Sequence, residues 1–306
     1  MTGVLSGFAV VSAVILVGYI AGRFQIAGPH AASALTRTAF FITNPALLFT
    51  VLAKADLSGA LSAYAPIALL LAGISAGTFV LCSRIWFKRP AAETALGAMA
   101  SSYVNANNIG IPIAVYALGS AAPVAPVLLV QLLLLAPLYL TILDIASGRK
   151  PSLRIILTQP VRNPMIIASI LGVLASLSGI ELPTQVWAPL EMLGGAAVPL
   201  VLMAFGMSLF GSRPLQVREG RIDVIVATVL KSVFMPAIAY LLGRFLFHLE
   251  PPHVLAVVVM AALPTAQNVF LFASRYQRGV AVARDTALVT SVLAVPVLIV
   301  AAWLLA

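Results

Sequence analysis

A polar interruption lies within a long apolar stretch at residues 103–112, where the sequence reads Tyr-Val-Asn-Ala-Asn-Asn-Ile-Gly-Ile-Pro. Such an interruption is costly in lipid, because a broken helix leaves backbone groups that only protein or a water-filled cavity can satisfy. A second one, Leu-Pro-Thr-Ala-Gln-Asn at 263–268, follows about 160 residues later. Two matched interruptions in a membrane chain indicate a transporter with inverted repeats and a site near the bilayer midplane.

Composition places these interruptions in a membrane protein. Hydrophobic residues make up 61% of the chain and charged residues only 9%, whereas a soluble domain has about 25% charged residues. We therefore predict an all-α membrane protein surrounded by lipid. The net charge of +9 sits in short loops and forms no continuous basic face, so we predict no nucleic-acid partner. The single cysteine, Cys82, excludes a metal cage built from cysteines.

The apolar runs predict the membrane crossings. At about 20 apolar residues per crossing, the sequence accommodates ten transmembrane helices. They are expected near 4–22, 32–53, 60–86, 94–118, 122–146, 163–180, 185–210, 222–247, 253–276 and 281–305.

The distribution of Lys and Arg predicts the orientation. Most of these residues, including Arg23 and Arg37, fall near helix ends on one side of the predicted membrane, and only Lys54 and Arg244 fall on the other. By the positive-inside rule the first side is cytoplasmic. We therefore expect a multi-pass protein of the cell (inner) membrane with both termini outside the cytoplasm.

The two halves carry the same residue types at similar spacing. Pro45 matches Pro199 at an offset of 154, and Asn108 matches Asn268 at an offset of 160. Because each half has an odd number of helices, the second is inserted upside down relative to the first. The alternative is that Gly and Pro are common in membrane helices and match by chance. The predicted units are a five-helix repeat at 1–146, a cytoplasmic connection at 147–162 and a second, inverted five-helix repeat at 163–306.

Breaks in the fourth and ninth helices predict a binding site. If the broken helices cross, their half-helix N-termini attract an anion, and the freed carbonyls and polar side chains are suited to a cation such as sodium. The alternative is that the asparagines only hydrogen-bond between helices. The predicted site residues at the breaks are Asn105, Asn107, Asn108, Gly110, Pro112, Pro264, Thr265, Gln267 and Asn268. Asn44 and Pro45 in the second helix are interpreted as a kink rather than as ligands.

Lys231 is the one charge that the predicted helices put deep in the bilayer. Its depth of roughly 15 Å follows from ten residues beyond Arg221 at about 1.5 Å each. A cation there is costly without a partner. Lys231 is therefore predicted to bind an anionic substrate. The open alternative is a neutral lysine, or one bonded to carbonyls freed by a helix break, with a structural role. We predict no cofactor and, apart from a possible sodium ion, no metal.

The order of these motifs resembles the auxin efflux carrier family, which includes plant PIN auxin carriers and bacterial permeases for malate and malonate. The motifs are Asn-Pro-Ala-Leu-Leu-Phe at 44–49, Asn-Asn-Ile-Gly-Ile-Pro at 107–112 followed by Gly119, Lys231 ahead of Pro236, and Leu-Pro-Thr-Ala-Gln-Asn at 263–268. The long cytoplasmic loop of many plant members is missing, since the central connection has about 16 residues. This favours a compact bacterial permease, and makes the plant hormone a poor guess for the substrate.

The resemblance implies a ten-helix fold, like that of the bile acid sodium symporters, with crossed fourth and ninth helices. It implies a scaffold of helices 1, 2, 6 and 7, a moving transport domain of helices 3–5 and 8–10 that works as an elevator, and assembly as a homodimer.

We therefore expect a secondary transporter of a small organic anion, a carboxylate, that works by alternating access. A sodium-coupled carrier of the bile acid type is the main alternative, and a channel is a further one. An enzyme is not expected, because intramembrane catalysis needs an acidic pair, a nucleophile system or metal ligands at depth, and the sequence offers none. No acidic residue is predicted in the core, so we expect transport that is not driven strongly by pH.

Overall fold

The computed structural model describes residues 2–54, 60–148, 163–179, 182–210 and 220–305, and these form helices joined by short connections. Within the described ranges no strand occurs, and one isolated antiparallel bridge joins Val104 to Thr265. The predicted all-α class is therefore confirmed. The basic connection predicted at 147–162 falls, from residue 149 onward, outside the described residues.

The helices match the predicted ranges, and two of them are interrupted. We number them α1 to α10 along the chain and divide the interrupted ones into a and b. The bounds are α1 Thr2–Arg23, α2 Ala31–Ala53, α3 60–87, α4a Ala91–Ser102, α4b 106–117, α5 Val124–Ala146, α6 Pro164–Ser178, α7 Thr184–Leu209, α8 Arg221–Leu246, α9a Pro251–Ala262, α9b Gln267–Tyr276 and α10 Val280–Leu305.

Six of these helices are long and apolar enough to cross a membrane, counted over the described ranges: α2, α3, α5, α7, α8 and α10. Shorter apolar helices lie at Ser12–Arg23, Pro164–Ser178 and Pro251–Ala262. Large apolar side chains are exposed along these helices, and the exposed Trp86 and Trp303 lie near helix ends, as expected at a lipid boundary. The structure is thus that of a multi-pass membrane protein, while ten crossings and an inverted 5+5 repeat remain predictions.

The helices pack in two groups. In the first, α1 packs along the second part of α7, and the second half of α2 packs against α6 and the start of α7. In the second, α3, α4a and α5 pack together, and α10 packs against α8 and both halves of α9. Contacts between the groups include α1 with the end of α4b. The interrupted helices lie at the centre of the second group, where α4a also contacts α8 and α10.

A glycine allows α1 and α7 to approach closely. A Cβ atom built on Gly206 would lie 2.1 Å from the carbonyl oxygen of Ile15 and 2.7 Å from the backbone nitrogen of Tyr19. The atoms in the way are backbone atoms, which cannot rotate aside. Small residues let backbones approach in this way in membrane helix pairs, where packing replaces the hydrophobic driving force.

Gly206→Ala is expected to lower the thermal stability of the purified protein in detergent, because the added methyl group forces α1 and α7 apart at a cost of about 1–3 kcal/mol. Gly77→Ala is the matched control, since no described atom beyond the backbone of its own helix and its chain neighbours lies within 4 Å of a Cβ at Gly77. Alanine there should leave the unfolding midpoint unchanged or raise it, because glycine within a helix is less stable than alanine by roughly 0.5–1 kcal/mol. Equal midpoints for Gly206→Ala and the wild type would contradict the close packing.

Candidate functional site

The two interruptions meet and satisfy each other's backbone. The Asn105 backbone nitrogen donates to the Pro264 carbonyl at 2.7 Å, and the Ala266 nitrogen donates to the Tyr103 carbonyl at 2.9 Å. Both segments are extended here, and at Leu263 this is typical of the residue before a proline. Buried backbone groups that left their helices thus find partners in the opposite break, as the lack of water in the membrane core requires.

The two hydrogen bonds are related by a local symmetry. Exchanging residues 161 apart turns the Asn105 to Pro264 bond into the Ala266 to Tyr103 bond. At this register Asn107 corresponds to Asn268, one residue from the pairing of Asn108 with Asn268 that the sequence favours. These two hydrogen bonds therefore have the geometry expected where two equivalent helix breaks cross.

Side chains cap the ends of both first half-helices. The Ala100 carbonyl of α4a accepts from Thr265 Oγ1 at 2.6 Å, and the Ala261 carbonyl of α9a accepts from Lys231 Nζ at 2.5 Å. In unbroken helices these carbonyls would accept from the nitrogens four residues later, Val104 and Thr265. The Thr265 nitrogen instead donates to Thr290 Oγ1 at 3.0 Å. Thr265 and Lys231 therefore replace helix bonds that the breaks remove.

Lys231 is completely buried. Besides the Ala261 carbonyl, its Nζ contacts Met235 Sδ at 3.4 Å. This placement corresponds to the alternative in which a carbonyl freed by a break accepts from Lys231. A role for Lys231 as the partner of a bound anion stays a prediction.

Asn105 caps the second half of the broken α4. Its Oδ1 accepts from the Asn108 backbone nitrogen at 3.1 Å, which orients the side-chain amide, because a backbone N–H can only donate. Its Nδ2 must then face the other way. That nitrogen is buried, and no acceptor lies within hydrogen-bond distance among the described residues. A buried donor without a partner costs about 1–3 kcal/mol, so it favours a ligand that accepts.

A chain of amides links α2 to this break. Asn44 Nδ2 donates to Asn107 Oδ1 at 2.7 Å, and Asn107 Nδ2 donates to Asn108 Oδ1 at 2.8 Å. Asn44 is fully buried. The interpretation of Asn44 and Pro45 as only a kink therefore missed a direct contact with the site. The signal was present in the sequence as a polar side chain in the middle of an apolar helix.

A cavity of about 220 Å³ lies against the breaks. Five of the predicted site residues line it, and the structure adds residues from α2, α5 and the first break that the sequence analysis did not select as site residues. The predicted residues are Asn105, Asn107, Asn108, Gln267 and Asn268, and the added polar ones are Thr36, Arg37, Tyr103 and Gln131. Gln131 also fixes the first break, since its Nε2 donates to the Val104 carbonyl at 2.8 Å.

The other predicted site residues are packed behind the cavity. Gly110 leaves room for Leu263, whose Cδ1 would lie 2.8 Å from an added Cβ. Pro112 is buried within α4b, directly after the wider helical turns of Ala106–Gly110. Three predicted site residues form hydrogen bonds to backbone groups that the breaks release and do not line the cavity: Pro264, Thr265 and Lys231.

Two further cavities flank the site on opposite sides. One of about 250 Å³ shares Thr36, Arg37, Asn108 and Gln267 with the cavity at the breaks. The other, of about 770 Å³, is lined by Lys54 and Glu191, which form an ion pair at 2.8 Å, and by none of the break residues. In this structure the breaks are therefore approached from the Arg37 side.

Thr265→Val is expected to destabilise the protein, because the Ala100 carbonyl loses its donor while the side-chain shape is kept. A buried acceptor left without a donor costs about 1–3 kcal/mol. Thr78→Val removes a comparable bond, Thr78 Oγ1 to the Ile74 carbonyl at 2.8 Å, on an exposed part of α3, and should change stability little. Thermal unfolding in detergent compares the two variants, and equal midpoints would show that the cap on α4a is dispensable.

Comparisons with known proteins cover nearly the whole chain. The family profile described as "Membrane transport protein" matches residues 4–302. A "Putative malonate transporter" of Rhizobium meliloti (strain 1021) is 27% identical over 290 residues, which are 92% of this chain and 89% of the relative. "Uncharacterized transporter YfdV" of Escherichia coli (strain K12) is 25% identical over 86% of this chain and 85% of its own length. An "Uncharacterized transporter" of Methanothermobacter thermautotrophicus is 29% identical over 64% of each chain.

Proposed function

Because this chain belongs to the membrane transport protein family, which includes the auxin efflux carriers, we propose that it carries a small organic anion across the membrane by alternating access. The resemblance read from the sequence motifs is thereby confirmed. The relatives are named as transporters, which agrees with a function other than catalysis. The substrate class, the elevator movement and the coupling are proposals that the following contacts support.

One observation carries the proposal: residues that line the cavity at the two breaks carry hydrogen-bond donors without an acceptor among the described residues. Asn105 Nδ2 has no acceptor among the described residues. The same holds for the backbone nitrogens of Gln267 and Asn268 in the first turn of α9b. The first turn of a helix also carries a partial positive charge. These groups are matched by a ligand that accepts hydrogen bonds and is negatively charged, and a carboxylate does both.

The size of the cavity favours a small substrate. A volume of about 220 Å³ accommodates several water-sized groups, each of which takes up about 30 Å³ in the liquid. A short carboxylate fits such a space. One relative is named for malonate, and we propose malonate and its close analogues as the first compounds to examine.

The packing of the helices supports an elevator. The group of α1, α2, α6 and α7 corresponds to the proposed scaffold, and the group of α3–α5 and α8–α10, with both breaks, corresponds to the proposed transport domain. The Asn44 to Asn107 hydrogen bond crosses between them. Movement of the breaks along α2 would exchange this bond for another, and would carry a bound anion from the Arg37 side to the Lys54 side. With the positive-inside orientation, the Arg37 side is cytoplasmic.

The carboxylates of the described residues support transport without proton coupling at the site. None of them lines the cavity at the breaks. Four are engaged elsewhere: Asp223 with Arg89, Asp285 with Arg284, Glu191 with Lys54, and Asp144 with the Tyr276 hydroxyl. A proton-coupled carrier usually titrates an acidic group in its core. Sodium coupling and uncoupled transport both remain open.

Asn108→Leu and Asn268→Leu are each expected to reduce malonate uptake into proteoliposomes at least about tenfold, equal to 1.4 kcal/mol of binding, because each removes a polar group from the cavity. Both proteins should still fold, since Asn105 is held by the backbone nitrogen of Asn108 rather than by its side chain. Gln185→Leu, at an exposed position of α7, is the control and should transport normally. Wild-type uptake by both Asn variants would remove the breaks from the substrate path.

Malonate uptake is expected to be insensitive to a pH gradient. Collapsing the gradient with a protonophore should leave the initial rate unchanged, because none of the described residues that line the cavity has a carboxylate that could bind a proton together with the substrate. Uptake is compared in liposomes with and without an imposed gradient, while the membrane potential is clamped. Proton uptake in a fixed ratio to malonate would contradict this proposal.

A further inference from the structure

Arg37 places a positive charge at the entrance to the breaks. It is exposed on α2 and lines both the 220 Å³ cavity and the adjoining 250 Å³ cavity. Asn108 and Gln267, one from each broken helix, also line both cavities. Arg37 therefore lies where the two spaces meet, beside polar groups from both breaks.

The guanidinium of Arg37 is the only charged group among the described residues that line these two cavities. No described carboxylate lies within ion-pair distance of it. This distinguishes it from Arg89, which donates to Asp223 Oδ2 at 2.9 Å and to Asp223 Oδ1 at 3.2 Å. A cavity wall with a single sign of charge raises the local concentration of ions of the opposite sign. The space between Arg37 and the breaks therefore attracts anions.

Lys231 is less suited to this role in the described structure. Its Nζ is enclosed by the Ala261 carbonyl and Met235 Sδ, and it does not line either cavity. Reaching an anion in the cavity would require Lys231 to leave the carbonyl whose helix bond it replaces. Arg37 has no such bond to give up among the described residues.

We propose that Arg37 is the counter-charge for the transported anion and that the anion is a small dicarboxylate. This inference rests on the proposed function. One carboxylate binds the planar guanidinium fork of Arg37, which offers two parallel N–H donors. The other end of the molecule lies toward Asn108 and Gln267, near the unpartnered Nδ2 of Asn105 and the N-terminus of α9b. Arg37 and the breaks thus recognise the two ends of one substrate.

The test measures affinity and charge preference together. Binding of malonate, its monoamide and malonamide to the purified protein is followed by isothermal titration. Arg37→Gln is expected to weaken malonate binding at least about tenfold, or 1.4 kcal/mol, and to weaken binding of the monoamide much less. The preference for the dianion over the monoanion should therefore fall. Arg37→Lys should recover part of it, because the charge returns without the fork.

Two controls separate charge at the site from charge elsewhere. Arg84→Gln removes the same charge from an exposed position of α3 that lines neither cavity, and should leave both affinities unchanged. Lys231→Met should change stability but not the preference for malonate over the monoamide. A preference that falls with Lys231→Met and persists with Arg37→Gln would assign the counter-charge to Lys231 and overturn the proposal for Arg37.

The outcomes also distinguish the two proposals. If the wild type binds and transports malonate and Arg37→Gln keeps the full preference for the dianion, the role of Arg37 is wrong and the proposed function stands. If the wild type neither binds nor transports any of a series of mono- and dicarboxylates, the proposed function fails, and the role of Arg37 fails with it. If Arg37→Gln folds poorly, Arg37→Lys is measured in its place. The proposal then requires that the folded Arg37→Lys protein prefers the dianion less strongly than the wild type does.

Discussion

Two backbone hydrogen bonds between residues 103–105 and 264–266 hold the centre of this protein together. They are needed because each broken helix releases backbone donors and acceptors at a depth where lipid offers no partner. Neither break could exist alone at this cost. Each break supplies the hydrogen-bond partners that the other lacks, and the cavity beside them is lined by residues of both.

The polar groups around the breaks are of two kinds: some are hydrogen-bonded to the backbone of the breaks, and others are donors without a described acceptor. Thr265 and Lys231 replace helix bonds, and Gln131 donates to the carbonyl of Val104 in the first break. These contacts make the extended segments stable. Asn105 and the first turn of α9b keep donors that no described protein group accepts. The contacts that stabilise the breaks and the donors proposed to bind a substrate therefore belong to neighbouring residues of the same short motifs.

The α2 helix contributes residues both to the first break and to the cavity. Its buried Asn44 reaches the amides of the first break, and Arg37, two turns earlier, faces the space in front of them. The second half of α2 is packed against α6 and α7, where a Cβ on Gly172 or Gly194 would meet the backbone of α2 at about 3 Å. In the proposed elevator, α2 would be the fixed helix along which the breaks move; in the structure it contributes a hydrogen bond to the first break and a charge to the cavity.

The sequence by itself determined the class of protein, the positions of the helices and the location of both breaks. Apolar runs and prolines act locally and leave few alternatives in a membrane, where backbone groups must be satisfied within the chain. The sequence also selected Asn105, Asn107, Asn108, Gln267 and Asn268, which line one cavity. Only the tertiary structure decided which charge faces that cavity. Depth along a helix made Lys231 the candidate and left Arg37 among the loop charges, but depth does not tell which way a side chain lies or what it contacts. The carbonyl of Ala261 occupies Lys231, and the approach of α2 to the breaks brings Arg37 to the cavity, because both depend on contacts between segments far apart in the chain.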